Sequence, residues 1–192
     1  VLRNSGVFSL GEMKGPYPLF AILGMSFWQI FATGLVTGSN SLVKAGPMII
    51  KINFSKKSLV IASTLVAIIS FIVQFSVVLI LFLIYGITPN ILIFLTPVLM
   101  VPIFLLTLGL SFILSLLNGI FRDIGNILSI IVTFIMFLTP ILYEAPNGGI
   151  LATITRYNPF FYLISVPRDL IYWADQITSM VLVSLYLFLW LF

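Results

Sequence analysis

Four long apolar runs, each without an internal charge, constrain the fold of this chain more than any other feature. They cover residues 17–39, 58–85, 91–117 and 124–143, and a shorter run of 16 residues extends from Ile177 to Phe192. A membrane-spanning helix needs about 20 apolar residues, whereas membrane β-strands show alternating segments of about 10 residues, which do not occur here. The sequence therefore predicts an all-α membrane protein, a polytopic helical bundle with about five spans.

The composition excludes a soluble enzyme. Of the 192 residues, 61% are hydrophobic and only 7% are charged, whereas a soluble domain has about 45–50% apolar and about 25% charged residues. The chain contains neither Cys nor His, which removes thiolate nucleophiles, His-based triads and Cys/His metal sites. We therefore expect no catalytic residue and no metal site.

The energy for any transport must come from elsewhere, or the pore is passive. The sequence has no Gly-x4-Gly-Lys-Ser/Thr loop for nucleotide phosphates. No charged residue lies within the four long runs, where proton- or ion-coupled transporters usually place one. The net charge of +4 comes from few residues, and basic loops in a membrane protein indicate topology first. Nucleic acid is therefore not an expected partner.

The loop after the first run sets the predicted orientation. Residues 40–57 contain four lysines, Lys44, Lys51, Lys56 and Lys57. Basic loops stay on the cytoplasmic side of a membrane, so we expect this loop in the cytoplasm and the N-terminus outside. The expected chain is then a fragment that lacks an earlier span and ends inside its last one.

Residues 144–176 do not resemble an ordinary loop. Proline and glycine interrupt them, yet they contain apolar pieces of about ten residues or fewer, which are too short to cross a membrane. Nearby Tyr and Trp residues suit the membrane–water interface. We expect short re-entrant helices here, before the last span.

Each long run also carries a stripe of small or polar side chains. Such stripes face other helices or a water-filled cavity rather than lipid, and ordinary helix packing explains any one of them. The stripes are Gln29, Thr33 and Thr37; Ser63, Ala67, Ser70 and Gln74; Thr107, Ser111, Ser115 and Asn118; and Asn126, Ser129, Thr133, Phe137 and Pro140. Gly34 and Gly38, four residues apart, are weak evidence for a dimer contact.

Five short motifs follow one another along nearly the whole chain. They are YPLFAILGMSFWQIF at residues 17–31, NSL followed by KINF within 40–54, LNGIFRD at 117–123, TPILY at 139–143, and YNPF followed by RD within 157–169. In this order and at these distances they resemble the motifs of the membrane (permease) subunits of ABC transporter type-2 exporters. The similarity is greatest to the permeases that export O-antigen, capsule or teichoic-acid polysaccharide.

The resemblance implies an architecture and a set of partners. It implies a single type-2 ABC transporter transmembrane domain over residues 1–192, with about five of the family's six spans. Two copies would form a homodimer with two ATP-binding cassette subunits, and ATP and Mg would bind to those partners and not to this chain. The implied protein is a multi-pass transport subunit, not an enzyme, in the cytoplasmic (inner) membrane, where it moves a polyprenyl-linked glycan.

Two other functions stay open on the sequence alone. A type-2 exporter of a drug or another small amphiphile would share the fold. From a different class, a passive channel or membrane scaffold without an ATPase would share the apolar composition.

The resemblance also implies roles for residues at the cytoplasmic side. Coupling to the ATPase is implied for residues of the 40–57 loop, namely Asn40, Lys44, Lys51, Phe54, Lys56 and Lys57. Asn118, Arg122 and Asp123 would form a cytoplasmic turn. Within that turn, Arg122 and Asp123 would either form a structural ion pair or take part in coupling.

Further roles follow for the path and for the outer side. Aromatic rings stack on sugars, so a path for a glycan would be lined by aromatic side chains. The candidates for this translocation path are Trp28, Phe31, Phe134, Phe137 and Tyr143. Residues 144–176 would be the extracellular gate, with Asn158, Pro159, Arg168 and Asp169 as its site residues.

Overall fold

The computed structural model describes residues 16–46, 51, 55–87, 91–143, 153, 155 and 157–172. Every regular element within these residues is helical, which confirms the predicted all-α class. The helices are α1 (Tyr17–Ser39), α2 (Ser41–Lys44), α3 (Lys56–Ile84), a 3-10 helix (Ile91–Leu95), α4 (Thr96–Leu99), α5 (Val101–Ile120), α6 (Ile124–Leu138) and α7 (Pro159–Tyr172).

Three helical stretches in the described residues are long and apolar enough to cross a membrane. They are Tyr17–Ser39, Lys56–Ile84 and Leu92–Ile120, while Ile124–Leu138 is apolar but shorter. The third stretch joins the 3-10 helix, α4 and α5. The chain is therefore a polytopic helical membrane protein, and the predicted fifth run lies outside the described residues.

Prolines set several helix ends. Pro18 lies in the first turn of α1, where its missing N–H removes no helical hydrogen bond. We predicted the fourth run to continue as helix to Tyr143, and this was wrong, because α6 ends at Leu138. Thr139 has an extended backbone with ψ of 129°, since the ring of Pro140 disfavours helical geometry in the preceding residue.

Helix α1 is the central helix of the bundle. It packs against α3, α5, α6 and α7. In its most apolar 18-residue stretch 67% is buried inside the bundle, compared with 22% in the corresponding stretch of α3 and 28% in that of Leu92–Ile120. The outward faces of α3 and α5 carry large exposed aliphatic side chains. Apolar helix faces of this kind suit contact with lipid tails.

The small residues of α1 allow close helix contacts inside the chain. A Cβ placed on Gly34 would lie 2.7 Å from Thr107 Cγ2, and one on Gly38 would lie 2.5 Å from Ser111 Oγ and 2.6 Å from Thr64 Oγ1. Both glycines are buried against α3 and α5. The dimer contact suggested for these glycines is therefore wrong, because α3 and α5 of the same chain already cover the face of α1 that carries them.

The structure separates the predicted stripes into buried and exposed ones. On α5 the prediction is confirmed, since Thr107, Ser111, Ser115 and Asn118 are all buried. On α3 Thr64 and Ala67 are buried, Ser63, Ser70 and Gln74 are half-buried, and the Ser63 carbonyl accepts a hydrogen bond from the Thr37 hydroxyl of α1. On α6 the buried residues are Gly125, Leu128 and Val132, and the polar stripe Asn126, Ser129 and Thr133 is exposed.

Candidate functional site

A cluster of buried amides joins three helices at one end of the bundle. Asn118, in the last turn of α5, donates hydrogen bonds from Nδ2 to the Ser39 carbonyl (3.1 Å) and to Asn40 Oδ1 (2.9 Å). Its Oδ1 accepts a hydrogen bond from the Gly125 backbone N–H (3.0 Å). Asn40 in turn donates from Nδ2 to the Val36 carbonyl (2.8 Å). The ends of α1 and α5 and the start of α6 are thus held together by two side-chain amides.

Four exposed lysines follow Asn40 of this amide cluster in the sequence. Lys44, Lys51, Lys56 and Lys57 are all exposed, and Phe54, the sixth residue predicted to couple to the ATPase, lies outside the described residues. We call residues 40–46, 51, 55–57 and 118–125 the lysine-rich end. Its exposed ammonium groups around a buried polar cluster form a cationic surface that suits an acidic protein face.

Arg122 and Asp123 do not form an ion pair. Both side chains are exposed in the turn between α5 and α6, and the ion pair found within the described residues is elsewhere. The Asp123 backbone carbonyl accepts hydrogen bonds from the N–H groups of Asn126 and Ile127 (both 3.1 Å) and so begins α6. The structural ion-pair alternative is therefore wrong, and a coupling role for these residues stays a prediction.

At the opposite end of α6, a buried arginine attaches α7 to the break after α6. Arg168 Nη1 donates to the carbonyls of Pro140 (3.1 Å) and Ile141 (3.3 Å), and Nε donates to Asp169 Oδ1 (2.9 Å). The guanidinium carbon lies 3.9 Å from the centroid of the Phe20 ring. Arg168 is only 3% exposed, so its charge is compensated by a carboxylate, two carbonyls and an aromatic face.

Asn158 makes a second attachment to the same break. Its Nδ2 donates to Thr139 Oγ1 (3.0 Å), and its Oδ1 accepts from the Phe160 N–H (3.0 Å). The second bond is that of an N-cap residue, and Pro159 follows at the first position of α7, where proline is well tolerated. The four residues predicted for the outer gate therefore belong to one 14-residue helix, with Asn158 and Pro159 at its start and Arg168 and Asp169 in its second half.

The helix α7 is shorter than a membrane span. Its 14 residues extend about 21 Å at 1.5 Å per residue, which is less than the roughly 30 Å hydrocarbon core. This length agrees with the predicted short helix before the last run. The apolar piece at residues 150–152 lies outside the described residues, and a role as gate stays a prediction.

The five aromatic residues predicted for the translocation path do not form one surface. Trp28 and Phe31 are buried in the core, and Phe31 lies 4.5 Å from the ring of Phe160 between centroids. In contrast, Phe134 and Phe137 are exposed on α6, with 70% and 65% of their surface accessible.

Tyr143 lies beyond the end of α6, where its hydroxyl donates to the Phe137 carbonyl (3.3 Å).

Sequence reasoning missed three participants in the amide cluster and in the attachment of α7. Gly125 and Thr139 supply a backbone donor and a hydroxyl acceptor, and Phe20 supplies the ring under the Arg168 guanidinium. Gly125 could have been found from its place in the first turn after the Arg122–Asp123 motif. Nothing in the sequence pattern distinguishes Phe20 from the other apolar residues of its run.

The profile of the ABC-2 type transporter family matches residues 7–172, which include the amide cluster and the attachment of α7. The chain belongs to the ABC-2 type transporter family. This member is similar to two proteins named "O-antigen export system permease protein RfbA". It is 28% identical over 158 residues to the one from Klebsiella pneumoniae (80% of this chain, 60% of the relative). It is 27% identical over 187 residues to the one from Myxococcus xanthus (91% and 70%).

Proposed function

We propose that this ABC-2 family chain is the permease part of an ATP-driven exporter of lipid-linked polysaccharide in the cytoplasmic membrane. The printed function of the relatives, O-antigen export, supports the substrate class. The chain spans 60% of the length of the first relative, so the activity is that of the whole exporter. Two copies would act with ATP-binding cassette subunits, which would bind ATP and Mg.

The observation that carries this proposal is the lysine-rich end. Four lysines and Arg122 are exposed there, while the helix ends behind them are fixed by the buried Asn40–Asn118 cluster. A docking surface needs accessible charges that the partner can recognise. It also needs a rigid support, so that a movement of the partner moves the helices instead of deforming the surface locally. The lysine-rich end combines both properties.

The exposed stripe of α6 supports a route for the substrate. Asn126, Ser129 and Thr133 face away from the described part of the chain, together with Phe134 and Phe137. Polar side chains on a membrane helix favour a protein or water-filled environment over lipid. Hydroxyls and aromatic faces on one surface can pass a sugar chain without holding it, so this face would line the path with the second copy.

A copurification experiment tests the docking surface. The double variant Lys51→Ala/Phe54→Ala of the full-length permease is expressed with its ATP-binding subunit. We expect copurification, or export per ATP hydrolysed, to fall at least about fivefold, the lower range of a typical coupling between sites. The control is Phe94→Ala, since Phe94 is 80% exposed in the 3-10 helix and lies outside every segment with a proposed role.

Two results would contradict the proposal. One is crosslinking to the ATP-binding subunit that maps only away from residues 40–57. The other is normal surface polysaccharide in cells from which that subunit has been deleted, which would favour a passive channel.

A further inference from the structure

Asn118 uses its whole side-chain amide to join three helices. Nδ2 has two protons and donates to the Ser39 carbonyl and to Asn40 Oδ1, and Oδ1 accepts from the Gly125 N–H. The side chain is 1% exposed, so water does not compete for these bonds. A satisfied and buried polar network has a defined geometry, because its hydrogen bonds are directional and costly to break.

The backbone fixes the orientation of both amides. A backbone N–H can only donate, so the atom of Asn118 that faces Gly125 must be the oxygen. Its nitrogen then faces Asn40, whose oxygen must accept. The Asn40 nitrogen is left to donate to the Val36 carbonyl. The network therefore has one consistent arrangement, and a substitution at either asparagine breaks it.

Gly125 allows the first turn of α6 to approach this network. A Cβ at Gly125 would lie 2.5 Å from Asn40 Oδ1 and 3.1 Å from Asn118 Nδ2. Both distances are too short for a side chain that leaves the hydrogen bonds in place. The start of α6 is thus in direct contact with the residue that ends α1.

Asn40 is also the residue that precedes α2, the start of the segment proposed to dock the ATPase. The hydrogen bond between Asn40 and Asn118 joins residues 78 positions apart. A displacement of α2 therefore acts on Asn40, through it on Asn118, and through Asn118 on the N-terminus of α6. Helix α6 in turn carries the exposed face proposed for the substrate.

We propose that Asn118 is a positioning residue that makes the ends of α1, α5 and α6 move as one body, so that displacement of the ATPase-docking segment reaches α6. This inference rests on the proposed function of residues 40–57. We call the hydrogen-bonded cluster of Ser39, Asn40, Asn118 and Gly125 the joint. The displacement would pass through these directional hydrogen bonds rather than through apolar contacts that can slide.

The first experiment compares Asn118→Ala and Gly125→Ala with Ser115→Ala in the full-length permease. Ser115 is a matched control because it is buried on the same face of α5, and its hydroxyl bonds only within its own helix, to the Phe112 carbonyl (2.9 Å). We expect both joint variants to copurify with the ATP-binding subunit and to retain ATP hydrolysis. Surface polysaccharide per ATP hydrolysed should fall at least about fivefold in the joint variants only.

The second experiment replaces the hydrogen bonds by a covalent link. The chain has no native Cys, so Asn40→Cys/Asn118→Cys can be joined selectively by a short bifunctional methanethiosulfonate reagent, which replaces the length of the two lost amides, in inverted membrane vesicles that synthesise the host's lipid-linked glycan. We expect the reduced protein to be uncoupled like Asn118→Ala. Crosslinking should restore glycan uptake per ATP hydrolysed, and dithiothreitol should remove the restored uptake.

The outcomes separate this inference from the proposed function. If no ATP-binding subunit copurifies with the unmodified permease, the proposed function is wrong, and the joint has no displacement to transmit. If the subunit binds but Asn118→Ala behaves like Ser115→Ala, only the joint is overturned. A crosslinked pair that stays uncoupled would also overturn it, because the ends would then have to separate during transport.

Discussion

At the residue scale, Arg168 shows how this chain tolerates a buried charge. An unpaired ion in a low-dielectric interior is very costly, yet Arg168 is buried beside α1 and the break after α6. Three of its N–H groups bond to Asp169 and to the Pro140 and Ile141 carbonyls. Those two carbonyls follow the last turn of α6, where no helical N–H can satisfy them. The arginine therefore supplies the donors that the break requires.

Replacing Arg168 should destabilise the attachment of α7 to the break after α6. In Arg168→Met the aliphatic stem can still pack on Phe20, but two buried carbonyls lose their donor, which costs about 1–3 kcal/mol for each. Arg168→Lys should lie between this variant and the unmodified protein, because an ammonium keeps the charge but cannot reproduce the planar guanidinium. Thermal unfolding of the detergent-solubilised permease measures both changes.

Asp169→Asn is the control for this series. The Asp169 side chain is 33% exposed, and the asparagine retains an oxygen that can accept from Arg168 Nε. We expect a smaller loss than in Arg168→Met, because the guanidinium keeps its bonds to both carbonyls and to the new amide oxygen, while only the charge of the partly exposed carboxylate is removed. Equal stability of Arg168→Met and Asp169→Asn would show that the guanidinium does not stabilise the break.

At the element scale, α1 organises the bundle because it combines glycines with polar side chains. The Thr37 hydroxyl lies 2.9 Å from the Ser63 carbonyl of α3, and Ser111 of α5 donates to the Gly34 carbonyl (3.3 Å). Lipid tails are as apolar as Leu, so membrane helices associate through close packing and such hydrogen bonds rather than through the hydrophobic effect. The position of α1 between α3 and α5 therefore depends on its small residues.

Adding one methyl group to α1 should test this packing. In Gly38→Ala the new Cβ would lie 2.5 Å from Ser111 Oγ and 2.7 Å from Ser111 Cβ, which forces α1 and α5 apart. We expect a loss of roughly 1–3 kcal/mol, the usual cost of overpacking. Gly109→Ala on α5 is the control, because nothing lies within 4 Å of its added Cβ. If both variants lower the unfolding temperature equally, the close contact of α1 is not what stabilises the bundle.

At the scale of the whole molecule, the described charges divide between two ends. The exposed basic side chains in this part of the chain, four lysines and Arg122, all lie at the lysine-rich end. Arg168, at the other end of α6, is buried and paired. Exposed lysines and arginines are favoured on the cytoplasmic side of a membrane, so the lysine-rich end has the charge expected of that side, and the orientation stays a prediction.

Labelling of single cysteines tests the orientation in intact cells. We expect an impermeant thiol reagent to label Tyr157→Cys and Asp175→Cys, and to label Lys44→Cys and Lys57→Cys only after the membrane is opened. The reason is that α7, with 14 residues, is too short to cross a bilayer. Labelling at position 157 but not at 175 would mean that this region crosses completely, and the gate prediction would then be wrong.

The sequence by itself determined the helical class, the approximate span limits and the buried hydroxyl stripe of α5. Run lengths and four-residue spacing are local properties, and Thr107, Ser111 and Ser115 show their common face wherever the helix packs. Only the tertiary structure decided which stripes are covered and which polar residues meet. Periodicity gives a helix two faces but not its neighbours, so the exposed stripe of α6 could not be foreseen. The Asn40–Asn118 joint and the Arg168 attachment join residues 78 and 28 positions apart, and such contacts exist only once the helices have packed around α1.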